Sequence, residues 1–235
     1  MFSVSCISST DSPTCDAVIG AYCKTQQAKG PILWSVGDSL THGAVWNGST
    51  YEYQGAWRCG AFGALTTLGK SPNFVGTVTN ASDGVACAGT AHSGYNGSTA
   101  GNWNATYFAL FAAAIGVTPD HVTIWLGAND GDSTEAANQV MGCVDQAFGL
   151  WPMVVVHVAT MFPSSTSSYA TLNTSLRAQT AAKRALGQNV RLVELANAFG
   201  GQTDTKWLSD GLHPTAAGYR QLGDIWAASL APTFP

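Results

Sequence analysis

One serine carries the first chemistry that this sequence suggests. It lies in Gly37-Asp38-Ser39-Leu40, directly after the apolar run 31–36, which predicts a short buried strand. A serine hydroxyl at the carboxyl edge of a parallel sheet can act as a nucleophile if a base and oxyanion donors lie nearby. The alternative is that Ser39 only caps a following helix, because Ser and Asp are favoured N-cap residues. The rest of the chain has to decide between these interpretations.

A candidate base lies near the other end of the chain, in Asp210-Gly211-Leu212-His213-Pro214. An aspartate three residues before a histidine can place its carboxylate near the imidazole Nδ1 atom. The carboxylate would then hold the tautomer and stabilise the imidazolium that forms when Nε2 takes a serine proton. The alternative is a loop histidine that happens to precede a helix, since Pro214 suits a helix start.

Two further stretches offer hydrogen-bond donors for an oxyanion. Asn129 follows the apolar run 120–126, so its carboxamide could point into the same crevice as Ser39, although an Asn/Asp/Gly turn is common after any strand. Residues 89–97 are rich in glycine, and a backbone N–H without a neighbouring Cβ can approach an oxyanion closely. A flexible loop is the alternative there, and the choice of Gly94 over Gly97 as the donor stays open.

Alternating strands and helices must position these residues. We predict strands over 31–36, 73–79, 120–126, 153–159 and 190–195, and helices over 55–68, 103–115, 133–148, 169–186 and 216–230. This alternation is typical of a mostly parallel sheet covered by helices on both faces. We expect one α/β domain over residues 31–235. Residues 1–30 read as a cysteine-rich segment packed on it, with a short helix over 16–27.

Composition excludes several classes of function. The 235-residue chain has a net charge of −4, and only 10% of its residues are charged, against roughly 25% in ordinary soluble domains. We therefore expect no nucleic-acid partner. The longest apolar runs, near 107–117 and 153–162, are about half of the ~20 residues that a spanning helix needs, so we expect no membrane insertion.

Cysteines and glycosylation motifs indicate an oxidising compartment. The six cysteines, an even number, lie at no spacing typical of metal ligands, so we expect up to three disulfides, buried free thiols being the alternative. Five Asn-x-Ser/Thr motifs are also present. Both features predict a secreted glycoprotein, although the first ten residues are not an intact signal peptide. The motifs begin at Asn47, Asn80, Asn96, Asn104 and Asn173.

Taken together, three of these stretches resemble the conserved blocks of the SGNH, or GDSL-type, hydrolases. Gly37-Asp38-Ser39-Leu40, Gly127-Ala128-Asn129-Asp130 and Asp210-Gly211-Leu212-His213-Pro214 match these blocks in the right order. The resemblance spans roughly residues 31–230. Finer features, at residues 74–77, 92–95 and 119–122, are similar to the acetylxylan esterase-like branch of carbohydrate esterases. That branch often has His-Glu-Gly before the position of Ser93, which this chain lacks.

The resemblance implies a catalytic mechanism and a fold. Ser39 would be the nucleophile, His213 the general base and Asp210 the residue that orients His213. The backbone N–H groups of Ser39 and Gly94 and the side chain of Asn129 would hold the oxyanion. The fold would be a single-domain three-layer α/β/α sandwich with a five-stranded parallel sheet in flavodoxin-like order, and it would need no cofactor or metal.

The expected substrate is an acylated polysaccharide or oligosaccharide, such as acetylated xylan, and the expected state is a monomer. Aromatic residues in loops near the predicted site suit stacking on sugar rings, although at least half of such residues are expected to fill small cores. A lipase, feruloyl esterase, polyester hydrolase or acyltransferase with the same triad remains an alternative, as does a non-catalytic carbohydrate-binding protein. The candidate substrate contacts are Asp38, Trp57, His92 and Tyr95.

Overall fold

The computed structural model describes residues 30–79 and 91–234. The predicted N-terminal segment, with Cys6, Cys15, Cys23 and the helix over 16–27, lies outside these residues, as do Asn80 and Cys87. The separate character of residues 1–30 therefore stays a prediction.

Short strands and longer helices alternate through most of the described chain, as the sequence predicts. The strands are β1 (Ile32–Gly37), β2 (Ala44–Trp46), β3 (Tyr51–Tyr53), β4 (Asn73–Val75), β5 (Val78–Thr79), β6 (Ala91–Gly94), β7 (His121–Trp125), β8 (Val155–Ala159) and β9 (Val190–Val193). The helices are α1 (Ser39–His42), α2 (Ala56–Thr67), α3 (Ala100–Asn102), α4 (Phe108–Ala114), α5 (Thr134–Leu150), α6 (Ala170–Ala185) and α7 (Ala216–Leu230). A π turn, Trp103–Tyr107, joins α3 to α4, and a 3-10 turn, Ala231–Thr233, follows α7.

The main sheet has β1 near its centre. Strands β7, β8 and β9 follow on one side of β1 in that order, all parallel. On the other side, β4 pairs with the first half of β1 and β6 with its end, so two short strands share the position of a single second strand. This is the flavodoxin-like order that was predicted, and the three-layer α/β fold is confirmed.

The strand count differs from the prediction. Within the described residues the sheet has seven strands rather than five, because the run 73–79 divides into β4 and β5 and because β6 was not predicted. Gly76 lies at this break, where a Cβ atom would come within 2.1 Å of the His92 carbonyl carbon. Strand β5 then pairs antiparallel with β6 and forms the edge of the sheet.

A second, two-stranded sheet was not predicted. Strands β2 and β3 form an antiparallel hairpin, in which Trp46 pairs with Tyr51 and Ala44 with Tyr53. The Asn47 side chain closes the turn by accepting hydrogen bonds from the backbone of residues 49 and 50. Three residues per strand give too short an alternation for the sequence to reveal, so this stretch resembles a polar, aromatic loop.

The helix starts follow ordinary capping chemistry. The Ser133 hydroxyl accepts a hydrogen bond from Ala136 N–H at the start of α5, and the Thr215 hydroxyl accepts one from Gly218 N–H at the start of α7. Helices α2 and α7 pack closely, because Gly60 and Gly223 let their backbones approach: a Cβ on Gly223 would lie 2.7 Å from Gly60 Cα. Capping at Thr215 therefore fixes where the chain leaves the preceding loop, which carries His213.

Two observations limit the expectations about an oxidising compartment. Cys143 is a free cysteine buried in α5, so at most two of the predicted three disulfides can form among the other five cysteines. Asn173 is 3% exposed, and its carboxamide bonds both the N–H and the carbonyl of Met161, so this motif is not accessible for glycosylation. Over the described residues, no helix is long and apolar enough to cross a membrane.

Candidate active site

The predicted motifs that contain Ser39, Gly94 and Asn129 reach the same edge of the main sheet, because the strands that lead to them are neighbours. Gly37, the last residue of β1, pairs with Gly94 of β6 on one side and with Trp125 of β7 on the other. Strands β1, β6 and β7 are parallel, so the residues that follow them emerge at the same edge. Ser39 and Asn129 are therefore brought to one edge by strand register alone.

A single helical turn presents Ser39. Asp38 is its N-cap: its carboxylate accepts a 2.9 Å hydrogen bond from Leu40 N–H. Gly43 ends the turn in the left-handed region, with φ +95°, and donates its N–H to the Ser39 carbonyl. Ser39 is thus the first residue of α1, and the cap predicted as its alternative role is filled by Asp38 instead. The Ser39 N–H lies among the first N–H groups of α1, which have no partner within the helix.

A closed loop presents the acid–base pair. Ser209 N–H donates to the His213 carbonyl at 2.7 Å, and Leu208 and Pro214 form an isolated β-bridge. Inside the loop, Oδ1 of Asp210 accepts hydrogen bonds from the N–H groups of Leu212 (3.0 Å) and His213 (2.7 Å). The aspartate is therefore held by its own loop before its second oxygen meets any side chain.

Two hydrogen bonds connect the serine, the histidine and the aspartate. Nε2 of His213 lies 2.9 Å from the Ser39 hydroxyl, and Nδ1 lies 2.8 Å from Oδ2 of Asp210. Burial alone would raise the pKa of Asp210, but hydrogen bonds from the His213 backbone and ring, Tyr51 and Leu212 lower it to about 2. An ionised Asp210 accepts a hydrogen bond from Nδ1–H of His213. Nε2 then carries no proton and can accept a hydrogen bond from the Ser39 hydroxyl.

Ser39 and His213 line a cleft with a volume of about 290 Å³. The hairpin supplies one wall, with Tyr51 and Tyr53 each 39% exposed. These tyrosines were not among the candidate substrate contacts, because the Tyr-Glu-Tyr alternation, which places both rings on one face of a strand, is too short to predict a strand by itself. The cleft is lined by Ser39, Ala44, Tyr51, Tyr53, Asn96, Gly97, Asn129 and His213.

Asn129 lies in the cleft as predicted, but Gly94 does not. One N–H of the Asn129 carboxamide donates to the Ser98 carbonyl at 3.0 Å, which orients the group and leaves a second N–H. The Gly94 N–H donates to Nδ1 of His92 at 2.9 Å. The prediction that Gly94 supplies an oxyanion donor is therefore wrong in this geometry, because its N–H is directed to a buried side chain. Gly97 lines the cleft instead.

Three predicted substrate contacts are buried and cannot meet a substrate. Trp57 is fully buried, with its ring stacked on Trp226 at a centroid distance of 4.4 Å. Asp38 is also fully buried beneath α1. His92 is fully buried, and burial, with Arg58 and His42 nearby, lowers its pKa so that the ring is neutral and accepts the Gly94 N–H. These predictions are wrong because the packing turns all three side chains into the core, away from the cleft.

The fourth predicted contact, Tyr95, also lies outside the cleft. Its ring stacks on Phe111 at 4.6 Å, and its hydroxyl is 2.8 Å from the hydroxyl of Thr77. Tyr95 therefore packs the loop after β6 against α4. This agrees with the alternative interpretation, in which many of the loop aromatics fill small cores.

Asp38 carries an unusual carboxyl group directly before the serine. Burial raises the pKa of Asp38, the hydrogen bond from Leu40 N–H opposes this, and the charge of Asp130 adds to it, so that the pKa is about 7. Oδ2 of Asp38 has no hydrogen-bond partner among the described residues. Burial thus favours the neutral form of this carboxyl group, which avoids placing a buried negative charge beside a serine that must develop negative charge itself.

No group of three or more histidine, cysteine, aspartate or glutamate side chains in residues 30–79 and 91–234 is arranged to hold a metal ion. The donors that converge on the cleft are instead hydroxyl, imidazole and carboxamide groups. This set suits nucleophilic acyl transfer, with a serine, a base and a polar donor for an oxyanion.

Comparison with known proteins gives a family for this chain. The model of the GDSL-like lipase/acylhydrolase family matches residues 35–221. A family 3 carbohydrate esterase of Clostridium thermocellum has a similar structure, with a TM-score of 0.72 and 25% identity over 87% of this chain and 97% of that one. A family 3 carbohydrate esterase of Talaromyces cellulolyticus has a TM-score of 0.73 and 20% identity, covering 86% and 97% of the two chains.

One curated relative is similar over a shorter stretch. It is an Acetivibrio thermocellus protein to which the name endoglucanase X is provisionally attached, and it is 31% identical over 113 residues. The match covers 46% of this chain and 48% of that protein, so it reaches about half of the relative's length. The family match covers most of the chain, and the resemblance to SGNH hydrolases is confirmed. The chain belongs to the GDSL-like lipase/acylhydrolase family.

Proposed function

We propose that this protein is a serine esterase that removes short acyl groups, acetyl foremost, from a polysaccharide such as acetylated xylan. The observation that carries the proposal is the pair of hydrogen bonds, 2.9 and 2.8 Å, that joins Ser39, His213 and Asp210 at the floor of an aromatic cleft. The family 3 carbohydrate esterases that share this fold support the choice of a carbohydrate ester.

In the acylation step, the Ser39 hydroxyl attacks the ester carbonyl while Nε2 of His213 takes its proton. A C–O bond forms to Ser39, and the carbonyl oxygen becomes an oxyanion. The Ser39 N–H and the Asn129 carboxamide are the donors proposed to stabilise it. When this tetrahedral intermediate collapses, the bond between the acyl carbon and the sugar oxygen breaks, and the imidazolium, held by Asp210, gives its proton to that oxygen. The sugar leaves as an alcohol, and the acyl group stays on Ser39.

In the deacylation step, water takes the place of the sugar alcohol. His213 removes a proton from water as the oxygen attacks the acyl carbonyl. When the second tetrahedral intermediate collapses, the bond to Ser39 breaks, and the proton returns from His213 to the serine oxygen. The products are a carboxylic acid and free enzyme, so no cofactor enters the balance.

The size and the walls of the cleft favour a short acyl group on a sugar. A volume of about 290 Å³ lies just below the usual range of ligand pockets, which is roughly 300 to 1,000 Å³. Two exposed tyrosine rings and the Asn96 carboxamide form its rim. Such rings can stack on a pyranose face, and amide groups can bond its hydroxyls.

A chain-length series of p-nitrophenyl esters tests the acyl group. We expect the highest kcat/KM for acetate and a steady decline toward octanoate, because longer chains exceed the cleft. A preference for octanoate or longer would overturn the acetyl assignment in favour of a lipase. Acetate release from acetylated xylan, pectin and glucomannan, compared side by side, then identifies the polymer. Transfer of the acyl group to a sugar acceptor rather than to water would instead indicate an acyltransferase.

Export of the protein is also part of the proposal, and it rests on composition. The six cysteines and the exposed glycosylation motif at Asn47 support it. Peptide mapping of the protein from its native source, under non-reducing conditions, tests it. We expect disulfide-linked peptides among cysteines other than Cys143, whereas a fully reduced set would contradict export through an oxidising compartment.

A further inference from the structure

The hydroxyl of Tyr51 contacts the proposed catalytic aspartate. It donates a 2.7 Å hydrogen bond to Oδ2 of Asp210, the same oxygen that lies 2.8 Å from Nδ1 of His213. The Tyr51 ring also meets the His213 ring edge to face, with centroids 4.9 Å apart. One side chain therefore contacts both members of the acid–base pair.

The hairpin that carries Tyr51 is joined to the loop that carries this pair. The backbone N–H of Trp46, which pairs with Tyr51 across the hairpin, donates to the Ser209 hydroxyl at 3.0 Å. That hydroxyl in turn donates to the His213 carbonyl at 2.9 Å. The hairpin thus contacts both ends of the segment from Ser209 to His213.

The opposite side of the hairpin is anchored beside the nucleophile. The Tyr53 ring stacks on His42, the last residue of α1, at a centroid distance of 4.3 Å. Its hydroxyl also accepts a hydrogen bond from the Asn96 carboxamide. The hairpin therefore spans the cleft from the serine turn to the acid–base loop, and the position of Tyr51 is set from both sides.

Core packing does not explain the placement of Tyr51. Tyr51 is 39% exposed, whereas aromatic residues that fill the core, such as Trp34 and Trp226, are fully buried. The hydrogen bond to Asp210 also raises the pKa of the Tyr51 phenol, so the hydroxyl keeps its proton and remains a donor. The hydroxyl is therefore placed for a polar contact with Asp210.

We propose that Tyr51 is a positioning residue for catalysis, which holds Oδ2 of Asp210 toward His213 and limits how strongly that oxygen stabilises the imidazolium. The inference rests on the proposed function, since it concerns the same acid–base pair. Two donors share Oδ2, so each receives less of its charge than it would alone. Without the Tyr51 hydroxyl, Oδ2 is a better acceptor for Nδ1–H of His213, but it is less firmly oriented.

Tyr51→Phe removes the hydroxyl and keeps the ring in the cleft. With p-nitrophenyl acetate, we expect kcat to fall about 3- to 10-fold, as for the loss of one hydrogen bond, and KM to change less than twofold. We also expect the acidic limb of the kcat/KM profile to move to higher pH by a few tenths of a unit, because the protonated imidazole gains stabilisation. Tyr107→Phe is the matched control, since Tyr107 lies in the π turn against Tyr95 and outside the cleft. It should leave both quantities unchanged.

If Tyr51→Phe has the same kcat as the wild-type protein and the same acidic limb of the kcat/KM profile, the inference is wrong, while the esterase proposal is unaffected. A second measurement is independent of turnover. In Ser39→Ala protein, NMR titration of the His213 ring nitrogens, with and without Tyr51→Phe, reports the interaction directly. We expect the titration midpoint to rise with Tyr51→Phe, and an unchanged midpoint contradicts the inference. If the wild-type protein hydrolyses no ester, the proposed function fails, but the NMR result still decides whether Tyr51 acts on the pair.

Discussion

The backbone N–H of Gly94 donates a 2.9 Å hydrogen bond to Nδ1 of His92, two residues earlier in the same strand segment. His92 is fully buried and neutral, so this donor is committed to the protein interior. Of the three oxyanion donors expected from the family resemblance, the Ser39 N–H and the Asn129 carboxamide remain. Each of the two should consequently carry a larger share of the stabilisation.

Asn129→Ala should therefore lower kcat by about 10²- to 10³-fold with little change in KM, because the oxyanion exists only after attack. Steady-state kinetics with p-nitrophenyl acetate measure both quantities. Asn138→Ala removes a carboxamide from the exposed face of α5, where it bonds Glu135 and Gln179, and should leave kcat unchanged. A large rise in KM with normal kcat in Asn129→Ala would assign this residue to substrate binding instead.

Ser39→Ala and His213→Ala should each lower kcat by about 10⁴-fold or more, since nucleophile and base act as one unit. The double variant should lose little beyond either single variant. Ser229→Ala is a suitable control. Ser229 lies on α7, where its hydroxyl is 3.4 Å from Nδ1 of His157, and it takes no part in the proposed chemistry. Near-normal turnover in Ser39→Ala would remove the proposed nucleophile.

Gly94→Ala should destabilise the protein although Gly94 contributes no oxyanion donor. An added Cβ would lie 2.6 Å from His42 N and 2.9 Å from Thr41 C, and these are backbone atoms of α1 that cannot rotate away. We expect a loss of about 1–3 kcal/mol in the free energy of unfolding, together with reduced kcat as α1 shifts.

The matched control for that substitution is Gly63→Ala. Gly63 lies within α2, where a Cβ meets no atom within 4 Å, so alanine should stabilise the protein by about 0.5–1 kcal/mol. Urea denaturation of the two variants gives both values. Equal stability of Gly94→Ala and wild type would show that α1 can retreat from β6.

Acid should destabilise the protein through two buried histidines far from the cleft. Burial lowers the pKa of His121 to about 4. Burial, together with the charges of His121 and Arg191, lowers the pKa of His157 to about 3. Both folded-state values lie below the ordinary 6.5, so the unfolded chain binds more protons between pH 6.5 and 4. Stability is therefore complete above about pH 6.5 and decreases as the pH falls.

Between pH 6.5 and 4.5 we expect each histidine to cost about 2 kcal/mol of the free energy of unfolding. Urea denaturation across this range measures the slope. The variants His121→Gln and His157→Gln, which do not titrate, should show shallower slopes than the wild-type protein. Parallel curves for all three proteins would mean that these histidines do not govern the acid response.

The polar motifs and the alternation of strands and helices could be predicted from the sequence, because both depend on residues that are close together in the chain. The start of β1 before Ser39, the three-residue spacing of Asp210 and His213, and the span of α7 over 216–230 all arise from local chemistry. Apolar periodicity, capping residues and turn residues act over a few positions, so the sequence carries them directly. The family resemblance then supplied the order of the sheet.

Only the tertiary structure decided which side chains reach the cleft. Ser39 and His213 are 174 positions apart, and their contact depends on strand register and on the loop before α7. Trp57 was expected at the substrate but is buried against Trp226, whereas Tyr51 and Tyr53 line the cleft on a hairpin too short to predict. A side chain's direction is set by the face of its element and by what packs there, and neither is a property of local sequence. The sequence by itself therefore determined the chemistry available, and the packing determined which groups meet.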